Sequence, residues 1–244
     1  MIEGAGPLCY QPSMVWLILA GVLAGAMDVS ASRGLTEALA REEAGDTAGA
    51  LAAMESLINA SPRWELPRLE AARLLLKLGG GLDRAEAHLE AVSVLAPANP
   101  RGHYLRGLLW EERGQPLRAA NAYEEALRYR PSYEDARFRV AGLWFAQGDL
   151  LKAEMHYRLL IKARPEWVQV RILMAEVLEG QGRLEDAERE LEAARQFQPD
   201  HVQVKRRLAD LYERTGKPRL AEKLRATLVS PPPKRMRPLK PSRR

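Results

Sequence analysis

The chain has 244 residues, 46% of them hydrophobic and 6% aromatic, with a net charge of +5. That length and apolar content suffice for one or two packed domains. The abundance of Ala, Leu, Arg and Glu favours helices, because these side chains lose little rotamer freedom there, whereas Val, Ile and Thr are too sparse and too poorly alternated for a sheet. The single cysteine, Cys9, excludes a disulfide framework and a cysteine-based zinc site.

The first element in chain order is a hydrophobic leader over residues 1–30. No charge occurs from Gly4 to Met27, and the strongly apolar part runs from Met14 to Met27. A helix of that length reaches about 21 Å, short of the roughly 30 Å hydrocarbon core of a bilayer. Ala24-Gly25-Ala26 has the small-residue pattern of a signal cleavage site, yet no Lys or Arg precedes the apolar run. A cleaved signal peptide and a retained membrane anchor both remain open. Either one predicts membrane targeting and a place in the cell envelope, anchored in the membrane or exported, with the orientation open.

An internal repeat follows. Glycine stands at Gly80, Gly114, Gly148, Gly182 and Gly216 in steps of 34, with Gly45 one residue out of register upstream. Alanine follows each at Ala50, Ala85, Ala119, Ala153, Ala187 and Ala221, and proline closes each unit at Pro62, Pro97, Pro131, Pro165, Pro199 and Pro233. This pattern resembles the tetratricopeptide repeat (TPR), a 34-residue helix-turn-helix unit. The resemblance implies an all-α, right-handed superhelical solenoid of about six units over residues 31–233. With proline at position 32, the units begin at Ala31, Leu66, Pro100, Glu134, Val168 and Val202. Position 8 is then small (Gly107, Ala141, Ala175, Ala209) so that the two helices of a unit approach closely, except at Arg73, where local splaying is expected. The tryptophan usual at position 4 is absent, replaced by Leu69, His103, Arg137, Arg171 and Lys205.

The basic character is concentrated at the end of the chain. Lys234, Arg235, Arg237, Lys240, Arg243 and Arg244 lie in the segment 234–244 without an acid, and the body is close to neutral. This Pro-rich tail is expected to be disordered, and its lack of aromatics argues against nucleic acid as the main partner. His88, His103, His156 and His201 fall in different units, and no nucleophile, base and oxyanion donor assemble. Gly79-Gly80-Gly81 lacks the strand and the Lys-Ser/Thr of a phosphate loop and reads as a turn. No catalytic residue, cofactor site or metal site is expected.

The resemblance to TPR proteins implies a groove lined by the first helix of each unit at positions 2, 5, 9 and 12. The candidate lining is Tyr104, Leu108, Glu111, Phe138, Phe145, Ile172, Glu176 and Glu179, an apolar floor with an acidic back half. Leu74, Lys77, Arg101 and Glu213 extend it. The expected partner is an extended or helical peptide with apolar anchors and basic residues. The lysine and asparagine clamp that some TPR proteins use for a C-terminal carboxylate does not carry over, because position 9 is Leu108, Gly142 and Glu176. The function this implies is a non-catalytic scaffold or adaptor. The alternative gives the basic tail a role at an anionic membrane surface or on nucleic acid.

Overall fold

The computed structural model describes residues 29–229. The expected leader, apart from its last two residues, and the basic tail lie outside that range. Among the described residues there are twelve helices and no strand. They are α1 (Val29–Glu43), α2 (Thr47–Ala60), α3 (Glu65–Lys77), α4 (Leu82–Leu95), α5 (Pro100–Glu112), α6 (Pro116–Tyr129), α7 (Glu134–Ala146), α8 (Leu150–Ala163), α9 (Val168–Gly180), α10 (Leu184–Phe197), α11 (Val202–Arg214) and α12 (Pro218–Val229). Consecutive pairs form six antiparallel hairpins, each with a first helix (A) and a second helix (B). The chain divides into two compact units, one ending at Tyr129 and the other beginning at Arg130.

Each hairpin is started and stopped by local chemistry. Asn99 caps α5 by accepting hydrogen bonds from the Arg101 and Gly102 amides at 3.0 and 3.3 Å, with Pro100 in the first turn. After each A helix a glycine enters the left-handed region, as at Gly114 (φ 67°) and Gly182 (φ 76°), which frees the chain to reverse.

In the second hairpin the left-handed residue that ends the A helix is Gly79 (φ 66°), with Leu78 as the cap, and not Gly80. The helix therefore begins at Glu65, and one extra residue sits in the Gly79–Gly81 turn. Position 8 is then Ala72, which is fully buried, while Arg73 moves to position 9. No splaying results, since Ala72, Leu75, Ala85 and Leu89 are all buried between the two helices. Leu74, expected in the groove, is in the core at 0% exposure.

Polar side chains at position 4 stand where the usual tryptophan is missing. Position 4 is now Arg68, His103, Arg137 and Arg171. Each reaches back to the carbonyl of the proline that follows the preceding B helix. The distances are 3.1 Å to Pro62, 2.8 Å to Pro97, 2.5 Å to Pro131 and 2.7 Å to Pro165. A polar tether thus replaces an indole wedge at the joint between successive hairpins. Lys205 departs from the pattern and pairs with Asp200 at 3.0 Å.

In the first unit α1 to α5 share a core that includes Met54, Leu69, Leu89, Leu105 and Leu109. In the second, Tyr157, Leu160, Ile172, Leu178, Leu191 and Leu208 belong to one cluster. Burying each such side chain contributes about 1.5–3 kcal/mol, the main force holding one hairpin to the next. Close helix contact is sharpest at Gly107, where an added Cβ would lie 2.6 Å from Cζ of the buried Tyr123 ring.

Candidate functional site

In the first unit the A helices carry a charge network beside an apolar strip. Glu70 is 2% exposed and accepts from Arg73 Nε at 2.8 Å and from Arg101 at 2.6 Å. Arg73 also donates to Glu42 at 2.8 Å, and Lys77 reaches Glu42 at 2.9 Å. The hydrogen bond from Arg73 holds the Glu42 carboxyl down to about 2, against the opposing cost of burial, with Lys77 assisting. Burial without pairing would be prohibitive for Glu70, so the two arginines are conditions of its position. Tyr104 and Leu108 lie alongside, half-buried and packed on the core, and Tyr104 tilts against Tyr123 at 5.6 Å. Glu111 is half-buried.

In the second unit Phe138 and Phe145 are half-buried on α7, packed against the core and leaving part of their surface free. Phe138 stacks on Trp167 at 5.4 Å and meets Tyr157 edge-on at 6.5 Å. Between the two phenylalanines in the chain is Gly142, whose missing Cβ leaves a notch over the Tyr157 hydroxyl, 3.8 Å away. Burial pushes the Tyr157 hydroxyl up, and the nearby Glu176 carboxylate adds to the rise. Burial likewise pushes the Glu176 carboxyl up, against the pull of Arg207 and with help from Glu179.

Ile172 does not line a surface; it is 0% exposed, because α9 packs against both α8 and α10 and buries side chains toward each. The acidic back half is also largely compensated. Glu176 pairs with Arg207 at 2.6 Å, and Glu179 pairs with Arg214 and, at 4.0 Å, with Arg207. Arg225 bonds Asp210 at 2.8 Å and also takes Glu213. The electrostatic reason for preferring a basic peptide is thereby weakened.

The sequence reading missed a different surface. On the outer side of α8, Leu151, Met155 and Leu159 recur every fourth residue and are 76%, 51% and 42% exposed. Their spacing was visible, but position alone does not distinguish a B-helix stripe that packs from one that does not. Among the described residues no group of three side chains could hold a metal ion, and no helix is long and apolar enough to cross a membrane.

The hairpins have recognisable relatives. A family model described as "Tetratricopeptide repeat" matches residues 145–206, and a second of the same description matches 69–119 and 111–166. Together they run from 69 to 206, more than half of the chain. No curated protein matches the sequence. Among solved structures, MamA is 20% identical over 71% of this chain and 96% of its own, with a TM-score of 0.61. YrrB, described as a TPR protein with an unusual peptide-binding site, is 17% identical over 73% and 93%, at 0.64. PilW, described as a widely conserved type IV pilus biogenesis factor, is 18% identical over 83% and 93%, also at 0.64. These likenesses concern the fold, and with the family matches they identify the architecture as an all-α TPR solenoid. The chain belongs to the tetratricopeptide repeat family.

Proposed function

We propose that the chain is a non-catalytic scaffold that binds a peptide or protein partner along the A-helix faces, within a membrane- or envelope-associated assembly. The observation that carries this reading is the pair Phe138 and Phe145, aromatic side chains left half-exposed around the Gly142 notch. A backbone can approach closely at such a notch, and flanking aromatics are efficient anchors because they offer large area at small entropic cost. Tyr104 and Leu108 supply an equivalent strip in the first unit. The printed descriptions of YrrB and PilW, a peptide-binding site in one and pilus biogenesis in the other, support a scaffold role. The uncharged, apolar run from Met14 to Met27 in the sequence supports the envelope location.

Replacing Tyr104, Phe138 and Phe145 together by alanine tests the reading. The expected result is loss of the partner recovered by affinity purification from the native cells, with helicity by circular dichroism retained. Full recovery with the triple variant overturns it. Protease accessibility of a C-terminal tag, in intact cells and after opening each barrier in turn, tests the location. Cleavage only after the inner membrane is ruptured would contradict export of the repeats.

A further inference from the structure

Away from the A-helix face, α5 and α6 enclose a shallow depression of about 260 Å³, lined by His103, Arg106, Trp110, Arg118, Ala122 and Glu125, with Asn121 at its edge. On α5 these side chains are offset by a third to a half turn from Tyr104, Leu108 and Glu111, so the two surfaces are separate. The floor is apolar, formed by the Trp110 indole and Ala122. The Arg118 guanidinium lies over the indole at 4.9 Å, and that of Arg113 at 5.3 Å.

The charges around this floor are unequal. Arg113 is satisfied by Asp83 and Glu86, both at 2.7 Å. Glu125 faces Arg128 at 3.4 Å. Arg106 gives one hydrogen bond to the Leu89 carbonyl at 3.3 Å, and among the described residues neither Arg106 nor Arg118 has a carboxylate partner. Two guanidiniums thus converge on an aromatic floor, with Arg118 already held in place by stacking. His103 is fixed beside them by its bond to the Pro97 carbonyl at 2.8 Å and by stacking on Tyr129 at 5.3 Å.

We propose that this depression is a second docking site, for an acidic peptide segment in which Asp or Glu stands next to an apolar side chain. The carboxylate takes the Arg106 and Arg118 guanidiniums, and the apolar neighbour covers Trp110 and Ala122. The volume suits one or two side chains and not a run of bases, and two uncompensated cations are too few for a nucleic-acid track. A bare inorganic anion would leave the apolar floor uncovered.

The test follows the indole N–H resonance of Trp110 in the full chain, assigned with Trp110→Phe. The probes are blocked Leu-Glu-Leu-Glu, its counterpart Leu-Gln-Leu-Gln, and an oligothymidylate. The Glu peptide shifts the Trp110 resonance and the Gln peptide does not. Arg118→Gln, an exposed position whose fold is checked by circular dichroism, weakens the Glu peptide at least roughly tenfold, while Phe138→Ala leaves it unchanged. An equal response to both peptides, no response at millimolar peptide, or unchanged affinity in Arg118→Gln overturns the proposal. A tighter response to the oligothymidylate would overturn it in favour of nucleic acid.

Discussion

Replacing Gly107 by alanine sets two opposed effects against each other, and the structure decides between them. In a helix interior alanine is favoured over glycine by about 1 kcal/mol, because glycine has more backbone freedom to lose. At position 107, however, the new Cβ falls 2.6 Å from Cζ of Tyr123 and nearer still to the ring edge. That ring is 0% exposed and packed against Tyr104 at 5.6 Å, so it has nowhere to retreat. Overpacking of this severity lies at the upper end of its range, about 3 kcal/mol. The net expectation is a loss of about 2 kcal/mol, lowering Tm by roughly 4–8 °C. Gly142→Ala is the control, since its Cβ would sit 3.8 Å from the Tyr157 hydroxyl, an ordinary contact. That variant gains about 0.5–1 kcal/mol. Urea unfolding monitored by circular dichroism measures both. A Gly107→Ala chain as stable as the parent would refute the packing argument.

Other outcomes follow from the same geometry. Glu42 has its folded pKa depressed from 4.5 to about 2, so its contribution is fully present above pH 4.5 and lost as pH falls toward 2. Glu42→Gln is therefore expected to flatten the decline of stability over that window in acid titrations, and an unchanged profile would contradict the pairing. Removing Glu70, which is buried between Arg73 and Arg101, leaves two cations without their shared partner. Glu70→Ala should cost about 3–5 kcal/mol in urea unfolding, whereas a cost under about 1 kcal/mol would show that the network relaxes into solvent. Arg171→Met removes the 2.7 Å tether to Pro165 and the 2.5 Å bond to Glu190 from a side chain only 11% exposed. A loss of about 1.5–3 kcal/mol is expected from the same measurement.

Much of this architecture was legible in the chain because repetition makes it so. Gly114, Ala119, Tyr123 and Pro131 each recur at one spacing, and each has a steric reason to do so. The register slipped by one residue in the second hairpin for an equally physical reason. Gly79, Gly80 and Gly81 are chemically identical, and only backbone φ reveals that Gly79 ends the helix and that the turn holds an extra residue. With that shift, Arg73 moved from a supposed packing defect into the Glu42–Glu70 network, and Arg68 joined His103, Arg137 and Arg171 in the position-4 tethers to proline carbonyls. The site was less legible than the fold. Ile172 and Phe138 occupy the same repeat position, yet one is buried and the other half-exposed, because the neighbouring helices differ. The compensation of Glu176, Glu179 and Glu213 depends on Arg207, Arg214 and Arg225, and counting along one helix cannot foresee pairings that come from the next.

A partner seated on the A-helix face lies within reach of a photocrosslinker placed there, so site-specific photocrosslinking in the native cells is the decisive measurement. A benzoylphenylalanine at Phe145, on α7, is compared with one at Arg189, exposed on the outer side of α10. A discrete adduct is expected from position 145 and none from position 189. Adducts from position 189 alone, or from neither position while the partner still co-purifies, would contradict it.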